Sequence, residues 1–180
     1  GPLGTGDLFV VEGDEYDSAF FDKTAKFLKY LPDVAVVGNL EFDHADIYAD
    51  VDAIKSAVRR LVTLVPRQGL LVLGADSPGA FEMRAGAPCR VTAFGLGETA
   101  EWRATGVEAA PDGMTFAVEH RGDPVTEVRV PLVGEFNVRN VLAAFAVASE
   151  VGLDPTTMAA SVARFEGVRR RLEVRGQERG

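Results

Sequence analysis

Cysteine is almost missing: Cys89 stands alone in a chain of 180 residues. That excludes an internal disulfide framework and a multi-cysteine zinc site, and it fits a reducing cytoplasm. Histidine is nearly as scarce, with only His44 and His120. An excess of basic charge is absent too, since 19 Lys and Arg face 27 Asp and Glu for a formal net charge of -8. This argues against non-specific binding to nucleic acid or to an anionic membrane, both of which need basic patches. It does not exclude an anionic ligand held by a few local arginines. No apolar run approaches the roughly 20 residues of a membrane helix, and no charged-then-apolar signal segment opens the chain. Nowhere does a G-x-x-G-K-[ST] phosphate loop occur. "GPLG" at 1–4 resembles the scar of a protease-cleaved tag and carries no weight in the reading.

What is present is an apolar fraction of 47%, enough for one domain with a proper core. "DLFVVE" (7–12), "DVAVVGN" (33–39), "GLLVLGA" (69–75) and "CRVTAFG" (89–95) are short β-rich runs. Near-continuous apolar runs of this kind predict parallel strands covered on both faces. Between the second and third, Val51, Ile54, Val58, Leu61 and Val62 recur at helical spacing within 50–65. A shorter helix is expected over 76–86, opened by Asp or Ser as a cap with Pro78 in its first turn. Repeated strand–helix–strand units imply an α/β fold with a mostly parallel, doubly wound sheet and right-handed crossovers. Beyond residue 100, "EWRATGVEAA", "GMTFAVEHRG" and "VTEVRVPLV" alternate apolar and polar residues between "PDG" and "GDP" turns. They predict a small antiparallel meander beside the main sheet. Two helices follow, over 137–151 and 155–165.

Four stretches can carry chemistry. In "EGDEYD" (12–17), Glu12 ends a predicted strand and Asp14, Glu15 and Asp17 follow at once. Parallel sheets bind ligands beyond the carboxyl ends of their strands, so acids here suit a site, although a solvated acidic loop is the plainer reading of this stretch on its own. "NLEFDHAD" (39–46) repeats the pattern after the next strand. If the two strands are neighbours, Glu12 and His44 converge at one sheet edge as ligands for a divalent ion, with Asp43 orienting His44. "GEFNVRN" (134–140) puts Asn137 and Asn140 on one face of a helix entrance, where paired donors and acceptors suit the edge of a purine. The plainer alternative makes Asn137 the N-cap and Asn140 a surface residue. "FEGVRRRLE" (165–173) places three arginines after a turn glycine. Guanidinium forks bind phosphate bidentately, whereas an exposed basic run pairing with surrounding acids is the dull alternative.

In this order and at these separations the four stretches resemble the central domain of the Mur ligase family. There a Glu ends one strand, and N-x-E-x-D-H-x-D, G-x-H-N-x-x-N and F-x-G-x-x-R-R motifs follow. The resemblance covers nearly the whole chain. It implies a Mur ligase central domain whose P-loop region is missing here: an ATP-binding domain over 5–175, with 176–180 opening a linker to an absent C-terminal domain. It also implies Mg²⁺ held by Glu12 and His44, adenine read by Asn137 and Asn140, and phosphates contacted by Arg171. Glu12, His44 and Arg171 are then the residues expected at the reaction centre. "EGDEYDSAFFDK" with "NLEFDHADIY" is more similar to the branch that attaches L-alanyl-γ-D-glutamyl-meso-diaminopimelate to UDP-N-acetylmuramate than to the branch that adds L-alanine. For the whole enzyme the resemblance implies cytoplasmic, ATP-dependent ligation through an acyl phosphate, with the isolated chain inactive. Two departures stand out: Phe136 occupies the place of the motif's histidine, and Val58 falls where several Mur ligases carry a carbamylated lysine. A metal-dependent hydrolase using Glu12, Asp43 and His44, and a non-catalytic scaffold, are the competing readings.

Overall fold

The computed structural model describes residues 6–13, 17–19, 22–40 and 51–167. Its frame is a six-stranded sheet in which the strands follow chain order. Strands β3 (Val34–Val37), β4 (Leu70–Gly74), β5 (Arg90–Gly95) and β6 (Trp102–Ala110) run parallel. Strands β7 (Gly113–His120) and β8 (Asp123–Val130) continue antiparallel, as the predicted meander. A separate two-stranded hairpin, β1 (Asp17–Ala19) with β2 (Asp22–Ala25), precedes them and was not foreseen.

Both faces of the parallel part are covered, which explains why all five residues of β4 are buried. Strand side chains alternate between faces. Leu71 and Leu73 therefore point to one side, where Val58 and Val62 of α1 (Val51–Leu64) and Ala80 of α2 (Pro78–Phe81) cover them. Leu70 and Val72 point to the other, under Val138, Leu142 and Phe145 of α3 (Glu135–Glu150) and Val162 of α4 (Pro155–Ala163). The two crossover helices α1 and α2 share one face because successive right-handed crossovers in a sheet of sequential strand order fall on the same side. The second layer comes from α3 and α4, which return after the meander. Val58 thus belongs to the apolar core.

Three local expectations change. Residues 8–13 do not form a strand. A strand exists only through its ladder, and this run pairs with no described strand; Leu8, Phe9 and Val10 are 66%, 76% and 90% exposed. The helix expected over 76–86 is one α-turn at Pro78–Phe81 followed by a 3-10 turn at Glu82–Gly86. Ser77 caps it, its hydroxyl accepting from the Ala80 amide, with Pro78 in the first turn as expected. Asp76 is not the cap. Among the described residues no helix is long and apolar enough to cross a membrane.

Candidate functional site

The carboxyl ends of β3, β4 and β5 open onto one edge, where parallel sheets place ligand sites. Close approach of backbone builds this edge. A Cβ at Gly74 would collide with the carbonyl oxygen of Gly38, so the ends of β4 and β3 meet only because residue 74 has no side chain. Just beyond, the Leu40 amide donates to the Ser77 hydroxyl at 3.3 Å. The start of "NLEFDHAD" is thereby tied to the cap of α2. The rest of that motif, including Asp43 and the predicted metal ligand His44, lies outside the described residues, as do Asp14 and Glu15.

Glu12 is described and exposed, and its carboxylate is bonded to no described residue. It comes from the unpaired 8–13 run rather than from a strand end. An exposed carboxylate is a hard oxygen donor of the kind Mg²⁺ takes. Because His44 lies outside the described residues, the geometry of the predicted Glu12–His44 pair is not defined. Among the described residues no three His, Cys, Asp or Glu side chains converge as a metal cluster.

The second part of the site is better defined. Helix α3 starts at Gly134, whose φ of +103° is accessible to glycine and strained for other residues, and whose entrance has no side-chain cap. A Cβ at Gly134 would come within 2.5 Å of the Phe136 ring, so the ring lies across the bare glycine. Asn137 is therefore not the N-cap. It sits in the first turn, and its Nδ2 donates to the Val133 carbonyl at 2.9 Å. Asn140, one turn on, is exposed and carries no side-chain hydrogen bond among the described residues.

Both asparagines line a cavity of about 550 Å³ between α3, α4 and the end of β8. Phe136 and Phe165 stand at it half-exposed, at 51% and 46%. Val130, Leu132, Val141 and Met158 supply apolar surface. An apolar cleft with a few placed polar groups and exposed aromatic faces can hold a flat heteroaromatic ring by stacking and hydrogen bonding its edge. Phe165 opens "FEGVRRR", and Gly167 reaches Leu132. The fourth motif thus enters beside the third, while Arg171 lies outside the described residues.

One functional-edge residue escaped the sequence reading. Asp76, two residues past β4, accepts from the Leu96 amide at 2.9 Å and the Gly97 amide at 3.2 Å. It also accepts from Arg139 Nε at 2.7 Å. Burial by itself pushes this carboxyl upward, but the hydrogen bonds from Arg139, Leu96 and Gly97 and the Arg139 charge outweigh it and hold the group below its usual range. The only signal in the chain was an acid directly after a buried strand. Its partners lie 20 and 63 residues away.

Comparison with known proteins bears on the family and the fold. Residues 4–148 match the profile of the Mur ligase middle domain. The UDP-N-acetylmuramate–L-alanyl-γ-D-glutamyl-meso-2,6-diaminoheptandioate ligase of Escherichia coli K12 is 40% identical over 178 residues, 99% of this chain and 38% of that protein. The UDP-N-acetylmuramate–L-alanine ligase of Chlorobaculum tepidum is 36% identical over 96% of this chain and 35% of its own length. Among solved structures, the UDP-N-acetylmuramate:L-alanyl-γ-D-glutamyl-meso-diaminopimelate ligase of Neisseria meningitides superposes with a TM-score of 0.77 at 41% identity, covering 88% of this chain and 48% of that one. The chain therefore spans well under half the length of the curated relatives it matches. By its profile, its identity to these relatives and its topology, this chain belongs to the Mur ligase family and carries its middle domain.

Proposed function

We propose that residues 5–175 are the ATP-handling domain of a cytoplasmic ligase that joins L-alanyl-γ-D-glutamyl-meso-diaminopimelate to UDP-N-acetylmuramate. The observation that carries the nucleotide half is the cavity at the entrance of α3, where Asn137 and Asn140 face an apolar cleft flanked by Phe136 and Phe165. The peptide half is supported by the 40% identity to the Escherichia coli enzyme of that name.

In this reading Asn140, which bonds no described residue, and the oxygen of Asn137 hydrogen bond the base edge while Phe136 and Phe165 bound its faces. Arg171, at the far end of the stretch Phe165 opens, meets the phosphates and neutralises charge as the terminal phosphoryl group moves to the substrate carboxylate. The incoming amine then attacks the activated carbonyl and phosphate leaves. Glu12 and His44 are the residues that would hold Mg²⁺, which supplies charge neutralisation on the phosphate oxygens. The 180-residue chain alone is inactive in this reading, since no phosphate-loop motif occurs in it.

The test is ADP release by the longer enzyme that carries this segment, with UDP-N-acetylmuramate and either the tripeptide or free L-alanine. Tripeptide-dependent release is expected. Release with L-alanine alone would move the protein to the branch of the Chlorobaculum relative.

A further inference from the structure

The entrance of α3 presents the two asparagines, yet it has no side-chain cap and begins on a glycine. Something else must hold it in place. Arg139 lies between Asn137 and Asn140 in sequence but reaches the opposite way, its Nε 2.7 Å from Asp76 and its Nη2 3.3 Å from Glu135. Asp76 gathers three parts of the molecule: its own turn after β4, the Leu96–Gly97 turn after β5, and the first turns of α3. Room for it is made by Gly95, where a Cβ would stand 2.7 Å from Oδ1. An ionised carboxylate that accepts two backbone amides and a guanidinium is a strong, directional tie.

We propose that Asp76 is a positioning residue for the ligand-reading face of α3, acting through Arg139 to fix where Asn137 and Asn140 stand at the cavity. What the face reads rests on the proposed function; that Asp76 sets its position rests on the contacts alone. Asp76→Asn keeps the shape but removes the charge, and an amide cannot accept all three bonds while burying its own NH₂ donors.

Two measurements on the 180-residue chain decide it. Adenosine, which needs no phosphate loop, is titrated by saturation-transfer NMR. Losing a charge-assisted tie is expected to raise its Kd about tenfold in Asp76→Asn, and Asp76→Glu should recover part of the affinity. Because Asp76 acts through the asparagines, its effect should shrink in an Asn140→Ala background. Effects that multiply in full, or an unchanged Kd beside a lowered melting temperature, would reduce Asp76 to a structural tie. Without ligand, hydrogen exchange at Val138 to Val141 should quicken in Asp76→Asn while Phe145 to Ala148 stay protected; uniform or unchanged exchange overturns the proposal. Wild-type chain that ignores adenosine refutes the base-reading role instead, and the exchange measurement still decides whether Asp76 holds the helix entrance.

Discussion

Asn137 and Asn140 are one turn apart and line one cavity, but the structure gives them different second roles, so substituting each with alanine separates binding from stability. Asn140 is exposed and bonded to nothing described. Asn140→Ala removes no hydrogen bond to a described residue and gains the better helix propensity of alanine, about 0.5 kcal/mol. Its melting temperature should match or slightly exceed that of the parent chain. Asn137 also donates to the Val133 carbonyl at 2.9 Å, a net contribution of about 0.5–1 kcal/mol at an exposed position. That loss offsets the propensity gain in Asn137→Ala. The two variants should therefore differ by up to about 1 kcal/mol, or about 2–4 °C for a domain of this size. Binding should order differently. Each side chain that hydrogen bonds a base edge contributes about 1–3 kcal/mol by analogy with bidentate base contacts, so both variants should weaken adenosine about tenfold or more. Saturation-transfer titration and a thermal melt on the same samples suffice. Asn140→Ala that binds adenosine like wild type would sink the base-reading role, whatever its melting temperature.

Two further substitutions probe the frame. Gly74→Ala should lower the urea midpoint strongly, because its Cβ would collide with the Gly38 carbonyl and force β3 and β4 apart; overpacking of this kind costs about 1–3 kcal/mol or more, and an unchanged midpoint would refute the close approach. His120 stacks on Trp102 with ring centroids 4.2 Å apart, and burial, then the Arg121 charge, lower its pKa against Glu101 and Asp123. The folded state thus favours neutral imidazole, and the unfolded chain binds more protons as pH falls. Stability should be complete above the ordinary value of 6.5 and decline as pH drops through it. His120→Phe keeps an aromatic ring on Trp102 and should flatten that part of the pH profile; an unaltered slope would assign it to other groups.

The layered frame was legible because it rests on short-range pattern. "GLLVLGA" announces a strand buried on both faces, and every residue of β4 is buried. The meander was legible from its alternation and its turns, and α3 and α4 from the start and stop signals around them. "DLFVVE" shows where pattern stops being enough. Its residues suit a strand as well as those of β3 do, yet no ladder partner runs beside it among the described residues. Apolar character sets the capacity to be a strand; pairing decides whether it becomes one.

The site divides along a similar line. Motif spacing placed Asn137 and Asn140 on one face, and they share a cavity with Phe136 and Phe165. What spacing could not say is which side chains hold that face in place. In "ADSPG" both Asp76 and Ser77 suit the cap of a helix, and residue preference cannot choose between them. Backbone geometry chooses: Ser77 is extended, at φ -106° and ψ 106°, and its hydroxyl takes the Ala80 amide. Relieved of capping, Asp76 turns to Leu96, Gly97 and Arg139. Arg139, which no pattern in the chain singled out, becomes the link from the turn after β4 to the helix that faces the cavity. A periodicity reports which way a side chain points along its own element. Contacts across 63 residues depend on how the layers stack, and that follows from the whole sheet rather than from any motif within it.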